Sequence, residues 1–308
     1  MNKHMLMIAG SDIDSFYQVE AFPGAGDVTM AKPLGDKVGG CVLNVAAISA
    51  ALGSRVKVLD YLKKDDEKTL WLVDELKKKQ IDVSNLQYDN DVINGSCLIM
   101  QHEDEKCIFV IEPVRPFFKV DEKMQDLLDN SSYIYSLMHT LRLSFEQFDC
   151  LLKAKNKGAK VVFDGASQYT DAKEAQMIID LADGLFLNKQ SFQRLTNSLG
   201  YDGKELLKNK MEFICVTDGA NGAICYTKDD EYYFEALDVE VVDSTGAGDA
   251  FAGCFLHFLS KGYDYESCLK LATVNGGYAC TVIGGNSGTL TEVELFELAK
   301  KNNIEVKR

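Results

Sequence analysis

In residues 241–256, VVDSTGAGDAFAGCFL, an acidic residue closes a run of small ones and an apolar stretch follows at once. Val241 and Val242 lead in as a strand would. Beyond Asp249 the apolar residues are spaced for a helix, with Phe251, Phe255 and Leu259 on one face. Gly246 and Gly248 let the backbone turn tightly and approach a ligand. The first turn of a helix carries N–H groups with no partner inside it. Gly246, Ala247, Gly248 and the N–H of Asp249 therefore form a candidate anion hole. A carboxylate in that place repels a phosphate unless it has work to do there. Taking a proton from a hydroxyl is such work, which makes Asp249 the candidate general base. Glycines that only shape a strand-to-helix turn would read the same.

These residues need elements to hold them. Met5–Ala9 is a short apolar run that ends abruptly at Gly10-Ser11-Asp12-Ile13-Asp14. Ligands of an open parallel sheet gather beyond the carboxyl ends of its strands, so Asp12 and Asp14 are placed to meet a substrate, Asp12 also reading as a turn cap. Strands expected over 133–137, 160–163, 184–187 and 213–216 each end in polar residues, and helices alternate with most of them. That rhythm predicts an α/β chain with a doubly wound, mostly parallel central sheet and helices on both faces. Residues 55–62 read as a further strand. A helix is expected over 68–79, with Leu70, Leu72, Val73 and Leu76 as its apolar side. Two segments break the rhythm. Residues 15–36 and 93–118 are strand-like, have polar tips and lack a core of their own, which suits a small projecting β-sheet lid. No linker or repeat divides the chain, and the expectation is a single domain over residues 1–308.

Composition narrows the business of such a chain. Lys and Arg total 33 against 47 Asp and Glu, a formal charge of −14 over 308 residues. This disfavours nucleic acid or an anionic membrane as partner and points to a small molecule. Nine cysteines lie scattered with no CxxC pair, as reduced core thiols of a cytoplasmic protein would. Four histidines do not cluster, so no zinc site is expected. No leader peptide and no membrane-spanning segment are expected. A GxxxxGKS phosphate loop and the dinucleotide fingerprint after the first strand are both missing.

The stretch through TGAGD, with its upstream Asp and downstream helix, resembles the C-terminal signature of the ribokinase-like, or PfkB, family of carbohydrate and nucleoside kinases. The resemblance runs along nearly the whole chain and is concentrated in residues 10–14, 39–46, 217–222 and 243–255. It implies the ribokinase-like fold and an ATP-dependent phosphotransferase acting on a primary hydroxyl of a sugar, with ATP and Mg2+. Asp14 matches the aspartate that grips substrate hydroxyls. Gly39 and Gly40 match glycines that let the backbone approach the sugar, and Asn44 an asparagine that reaches a hydroxyl. Thr217, Gly219 and Gly222 match a stretch lining the nucleotide phosphates, and Asn275 lies where relatives have an Asn near the adenine. Asp243 and Thr245, with carbonyls from residues 282–287, match the ligands of a monovalent cation, K+, in potassium-dependent relatives. Asp243 as a simple loop cap is the other reading. The loop 284–288 is placed to close around the base.

The chain also departs from the pattern. Asn188 begins the NxxE motif that organises magnesium through water, but Ser191 stands where the Glu belongs. Alternatives therefore stay open: a nucleoside or pseudouridine kinase, with Phe16, Phe109 or Phe118 as a platform for the base, or a sugar-binding protein of weak activity. No basic cluster is present for an already phosphorylated acceptor, and Arg115 is expected to be structural or solvated. Dimers are frequent in the family, which makes a homodimer through the lid the expected assembly.

Overall fold

His4–Ile8 forms strand β1, and all five of its residues are buried. A strand covered on both faces is what a continuous apolar run predicts for the middle of a parallel sheet. The computed structural model describes residues 3–103, 105–165, 172–200, 203–208, 211–282 and 289–307. After β1 come β2 (Asp12–Val19), β3 (Ala31–Gly39), α1 (Cys41–Ala51), β4 (Val56–Leu59), β5 (Tyr61–Lys63) and α2 (Glu67–Lys78). Three strands follow without a helix: β6 (Gln87–Asp89), β7 (Gly95–His102) and β8 (Glu105–Ile111). Next are α3 (Glu122–Asp129), β9 (Ser131–Leu137), α4 (Met138–Arg142), α5 (Asp149–Asn156), β10 (Lys160–Asp164), α6 (Ala172–Leu181) and β11 (Gly184–Asn188). The chain continues through α7 (Lys189–Leu199), α8 (Gly203–Lys208), β12 (Phe213–Thr217), β13 (Ala223–Thr227) and β14 (Glu231–Phe234). It closes with α9 (Ala247–Ser260), α10 (Tyr265–Ala279) and α11 (Glu292–Lys301).

The large sheet has the order β14-β13-β12-β11-β10-β9-β1-β4. It is parallel from β4 through β12 and antiparallel where β13 and β14 are added. Successive side chains of a strand point to opposite faces, and the core divides accordingly. Met5, Met7, Val162, Phe213 and Cys215 join one apolar layer with α1, α2, α9, α10 and α11. Leu6, Ile8, Val161, Phe163 and Ile214 join the other with α3 to α8. This is the doubly wound architecture expected.

The lid is a four-stranded sheet of order β3-β2-β7-β8. Its register puts Asp14 opposite Cys97, and Cys97 opposite Val110. Paired residues share a face, so Asp12, Asp14, Phe16, Ile99, Ile108, Val110 and Lys106 all lie on the same side of the lid. Phe109 pairs with Leu98 on the opposite side and is 55% exposed. Several local expectations change. Asp12 and Asp14 sit on a lid strand, not in the loop after β1. Residues 55–62 form two strands, separated at Asp60, and β5 pairs with β6 in a small sheet of its own. Leu70 points outward, leaving Leu72 and Leu76 to anchor α2. The last helix starts at Glu292 because Thr291 caps it, with Glu294 returning the contact to the Thr291 backbone. Among the described residues no helix is long and apolar enough to cross a membrane.

Candidate active site

Two glycines and two helix starts bring the chemistry together. Gly40 is the N-cap of α1 at φ 87°, a conformation costly for residues with a Cβ. A Cβ there would stand 2.2 Å from the Gly10 carbonyl oxygen, and one on Gly39 would stand 2.1 Å from Asp14 Oδ1. The chain therefore passes against Asp14 where only glycine fits. One turn into α1, Asn44 points at α9 and donates its side-chain N–H to Asp249 Oδ2 at 2.7 Å. The two helices cross closely because Gly253, one turn beyond Asp249, has no side chain. A Cβ at that position would lie 2.9 Å from Ile48 Cβ, and Ser49 Oγ donates to the Gly253 carbonyl.

Asp249 is 8% exposed, yet its surroundings are polar. Burial raises its pKa most, Asp164 and Asp14 add to the rise, and hydrogen bonds from Asn44 and the Cys41 thiol oppose it, leaving it at about 7. A carboxylate poised there is half ionised near neutrality, the condition for proton exchange with a hydroxyl. Asp12 is raised to about 6 by burial and by Asp60 and Asp14. Asp14 is raised by burial, against a hydrogen bond from Cys97 and the charge of Lys37. Asp12, Asp14 and Asp249 thus form a cluster of carboxyl groups that prefers hydroxyl or neutral donor partners to a further anion.

Sequence reasoning missed several of these residues. Cys41 and Cys97 are partly exposed and face Asp249 and Asp14, so they are site residues, whereas Cys150, Cys215, Cys225, Cys254 and Cys268 are the buried thiols expected. Arg115 is structural, as expected, but buried. Its guanidinium meets Asp60 Oδ1 at 2.5 Å, and Asp60 also accepts the backbone N–H groups of Ser11 and Tyr61. The pair holds the turn between β1 and β2, next to Asp12. Both pairings join segments far apart in the chain, and residue type alone gives no sign of them.

On the other side of Gly248 lies an open hollow of about 510 Å³. Thr217, Gly219, Gly222, Ala247, Gly248 and Gly276 are among its walls. Gly246 begins α9 at φ 80° with no side-chain cap; the Ala247 N–H turns back to the Ser244 carbonyl at 3.3 Å, so the N–H groups of Gly248 and Asp249 are the ones this first turn offers to an anion. Gly222 is also demanded by packing, since a Cβ would fall 2.1 Å from the Phe234 carbonyl oxygen. Asn188 stands beside Thr217 at the carboxyl ends of β11 and β12 and caps α7 through the Ser191 N–H, while Lys189 pairs with Asp218 at 2.6 Å. A larger hollow, about 650 Å³, opens near His4 and Arg55 at the opposite end of the sheet and contains none of these residues.

Asn275 departs from expectation. It is 1% exposed and absent from the walls of the hollow; its amide donates to the Ala250 carbonyl at 2.9 Å and fastens α10 to the first turn of α9. Asp243 Oδ1 accepts the Thr245 N–H at 3.0 Å, the loop-cap geometry, and both side chains also meet Lys106 of the lid. The loop 284–288, and the cation carbonyls of 283–287, lie outside the described residues. Phe118 packs against Tyr61 and Phe145 and Phe109 faces outward, which leaves Phe16 as the aromatic on the lid's inner face.

A family model described as pfkB family carbohydrate kinase matches residues 3–292. The chain belongs to that family. As a PfkB kinase it is an ATP-dependent enzyme of the sugar and nucleoside kinases. It is 23% identical over 297 residues to a nucleoside kinase of Methanocaldococcus jannaschii, spanning 95% of each chain. The crystal structure of that archaeal kinase superposes with a TM-score of 0.80 at 22% identity, covering 97% of this chain and 98% of the other. Arabidopsis thaliana ribokinase complexed with ribose and ATP superposes at 0.84 with 18% identity, over 97% and 99%. A putative ribokinase II of E. coli in complex with ATP and Mg2+ gives 0.79 at 16% identity, again over 97% and 99%. At these identities the structural likeness establishes the PfkB fold.

Proposed function

We propose that this PfkB kinase transfers the terminal phosphoryl group of ATP to the primary hydroxyl of a neutral sugar, either free or as the ribosyl part of a nucleoside. The observation that carries the proposal is the Asn44–Asp249 hydrogen bond beside Asp14, between the lid and the hollow of the α9 loop. Asp14 and Asn44 hold acceptor hydroxyls, a carboxylate being able to accept more than one. Asp249 takes the hydroxyl proton as the oxygen bonds to phosphorus and the bond to ADP breaks. In the loop of Gly246, Ala247 and Gly248, the N–H groups of Gly248 and Asp249 face the charge that grows on the transferred oxygens, the Ala247 N–H being held by the Ser244 carbonyl. The glycine-walled hollow takes the nucleotide, with Thr217, Gly219 and Gly222 along its phosphates. Mg2+ binds mainly to phosphate oxygens and water, so one or two protein groups suffice, and the end of β11 at Asn188 suits that water shell even with Ser191 in place of Glu. The lid keeps water from competing for the phosphoryl group.

A neutral acceptor fits the charge of the site. Asp12, Asp14, Asp164 and Asp249 surround it, and Arg115 is engaged by Asp60. The nucleoside form is favoured by the lid's inner face, where Phe16, Ile99, Ile108 and Val110 line up across three strands as an apolar bed for a base. The outer side of the lid exposes Phe109 and Ile111 on the edge strand β8, a surface that a second copy of the chain would cover. ADP release with Mg2+ and ATP decides the function across ribose, fructose, adenosine, pseudouridine and the anionic 2-keto-3-deoxygluconate. Turnover of a neutral ribosyl acceptor, lost in Asp249→Asn, is expected. Binding of an acceptor without turnover would make this a sugar-binding protein on a kinase scaffold, and preference for the sugar acid would overturn the charge argument.

A further inference from the structure

Lys106 lies on β8, at the far end of the lid's inner face from Asp14. Its register partner is Gln101 on β7, which in turn pairs with Gln18 on β2, so the side chain leaves the lid toward the site. The ammonium nitrogen ends 2.7 Å from Thr245 Oγ1 and 3.4 Å from Asp243 Oδ1. Asp243 Oδ1 is the same oxygen that accepts the Thr245 N–H. Thr245 immediately precedes Gly246, the N-cap of α9, so one positive charge stands beside the loop that is to receive phosphate.

This ion pair is partly exposed, with the Lys106 side chain at 43% and Asp243 at 19%. Pairs of that kind contribute little to stability. The placement matters more than the strength. Asp243 and Thr245 match positions whose oxygens would hold a monovalent cation, and the ammonium group supplies the same single charge at Asp243 Oδ1 and Thr245 Oγ1. With Lys106 in place, that part of the site does not fit an added K+. We propose that Lys106 is the built-in monovalent cation of the Asp243–Thr245 loop, delivered by the lid, so that this kinase works without potassium. The proposal rests on the kinase reading above and adds a positioning residue to it. Lys106 would keep the loop shaped and offset the charge of the approaching nucleotide only when the lid is down, which ties cation supply to closure over the acceptor.

The test compares the full-length protein with Lys106→Met and Lys106→Arg in KCl and in tetramethylammonium chloride of equal ionic strength. Initial rates and melting temperatures are measured in each salt. The unaltered chain is expected to show the same rate and the same melting temperature in both. Lys106→Met should lose roughly 10- to 100-fold in rate in tetramethylammonium, regain most of it in KCl, and melt higher in KCl because the vacated ligands now bind the ion. Lys106→Arg should keep the potassium-independent behaviour in part. Potassium activation or stabilisation of the unaltered chain would overturn the proposal. So would a Lys106→Met variant whose loss KCl does not repair, since Lys106 would then act on a substrate instead. If no acceptor is turned over in any salt, the kinase reading fails, and the melting temperatures alone still decide whether Lys106 substitutes for the ion.

Discussion

Asn44 donates to Asp249 Oδ2 across 2.7 Å, joining residues 205 positions apart at the first turns of α1 and α9. The contact favours the ionised carboxylate, against burial and against the charge of Asp164. It therefore adjusts how readily Asp249 takes a proton as well as where it points.

Asp249→Asn is expected to lower kcat by about 10²–10⁴-fold, the usual worth of a positioned general base. The same change should stabilise the fold. Burial raises the carboxyl from 3.8 to about 7, so the folded chain holds this proton more tightly than the unfolded chain does. Stability then falls as pH climbs through that interval, and above neutrality the buried charge is a cost that asparagine removes. A rise in Tm of roughly 2–4 °C above neutral pH is expected by calorimetry, shrinking as the pH is lowered toward 4. A variant that melts lower at every pH would contradict the burial argument.

Asn44→Ala should move the pH profile. The unaltered enzyme is expected to gain kcat/KM as pH rises through about 7, because only the carboxylate accepts the hydroxyl proton. Removing the Asn44 donor withdraws an interaction that pulls this pKa down, so the acid limb of the variant should shift to higher pH. KM for the acceptor should rise as well. A profile that keeps its midpoint would mean that the contact serves only to align the two helices.

The Cys41 thiol is held well above its usual range, first by the charge of Asp249 and then by burial. The thiolate is the reactive form, so iodoacetamide should attack this partly exposed group slowly at neutral pH. Each alkylated Cys41 should nevertheless cost one active site. Peptide mass spectrometry set against residual rate checks this, with the acceptor sugar protecting. Whatever rate Cys41→Ser retains should fall only as far as the second partly exposed site thiol, Cys97, is alkylated, which the same peptide analysis scores separately. Rapid labelling, or labelling without loss of rate, would place Cys41 away from the general base.

Phe109→Glu tests the assembly through the lid. A charge on this exposed outer residue of an edge strand should leave a particle of half the mass by light scattering if two copies meet there. An unchanged mass would put the interface elsewhere or show that the chain is a monomer.

Much of this site was legible because its parts are local. The TGAGD loop, the Gly39-Gly40 pair and the polar ends of strands carry their meaning within a few residues, since backbone conformation and helix starts are local physics. The α/β rhythm and the two lid segments were legible for the same reason. What stayed hidden depends on which segments meet. Nothing near Lys106 signals that it reaches Thr245, and nothing near Asp60 signals the Arg115 guanidinium. The packing role of Asn275 is not legible because a polar residue within an apolar helix can face a ligand or a neighbouring helix, and only the partner of its amide N–H, here the Ala250 carbonyl, shows the helix contact. The sequence places Asp12 and Asp14 in the loop after β1, whereas they belong to a lid strand, because Ala9 and Gly10 turn the chain at once in left-handed conformations.

The close crossing at Gly253 has a mechanical consequence. With Ile48 already in the way of any side chain there, the spacing of the two helices acts as a caliper for the reacting groups one turn above. A single methyl group at that crossing, touching neither sugar nor nucleotide, would pry base and acceptor apart.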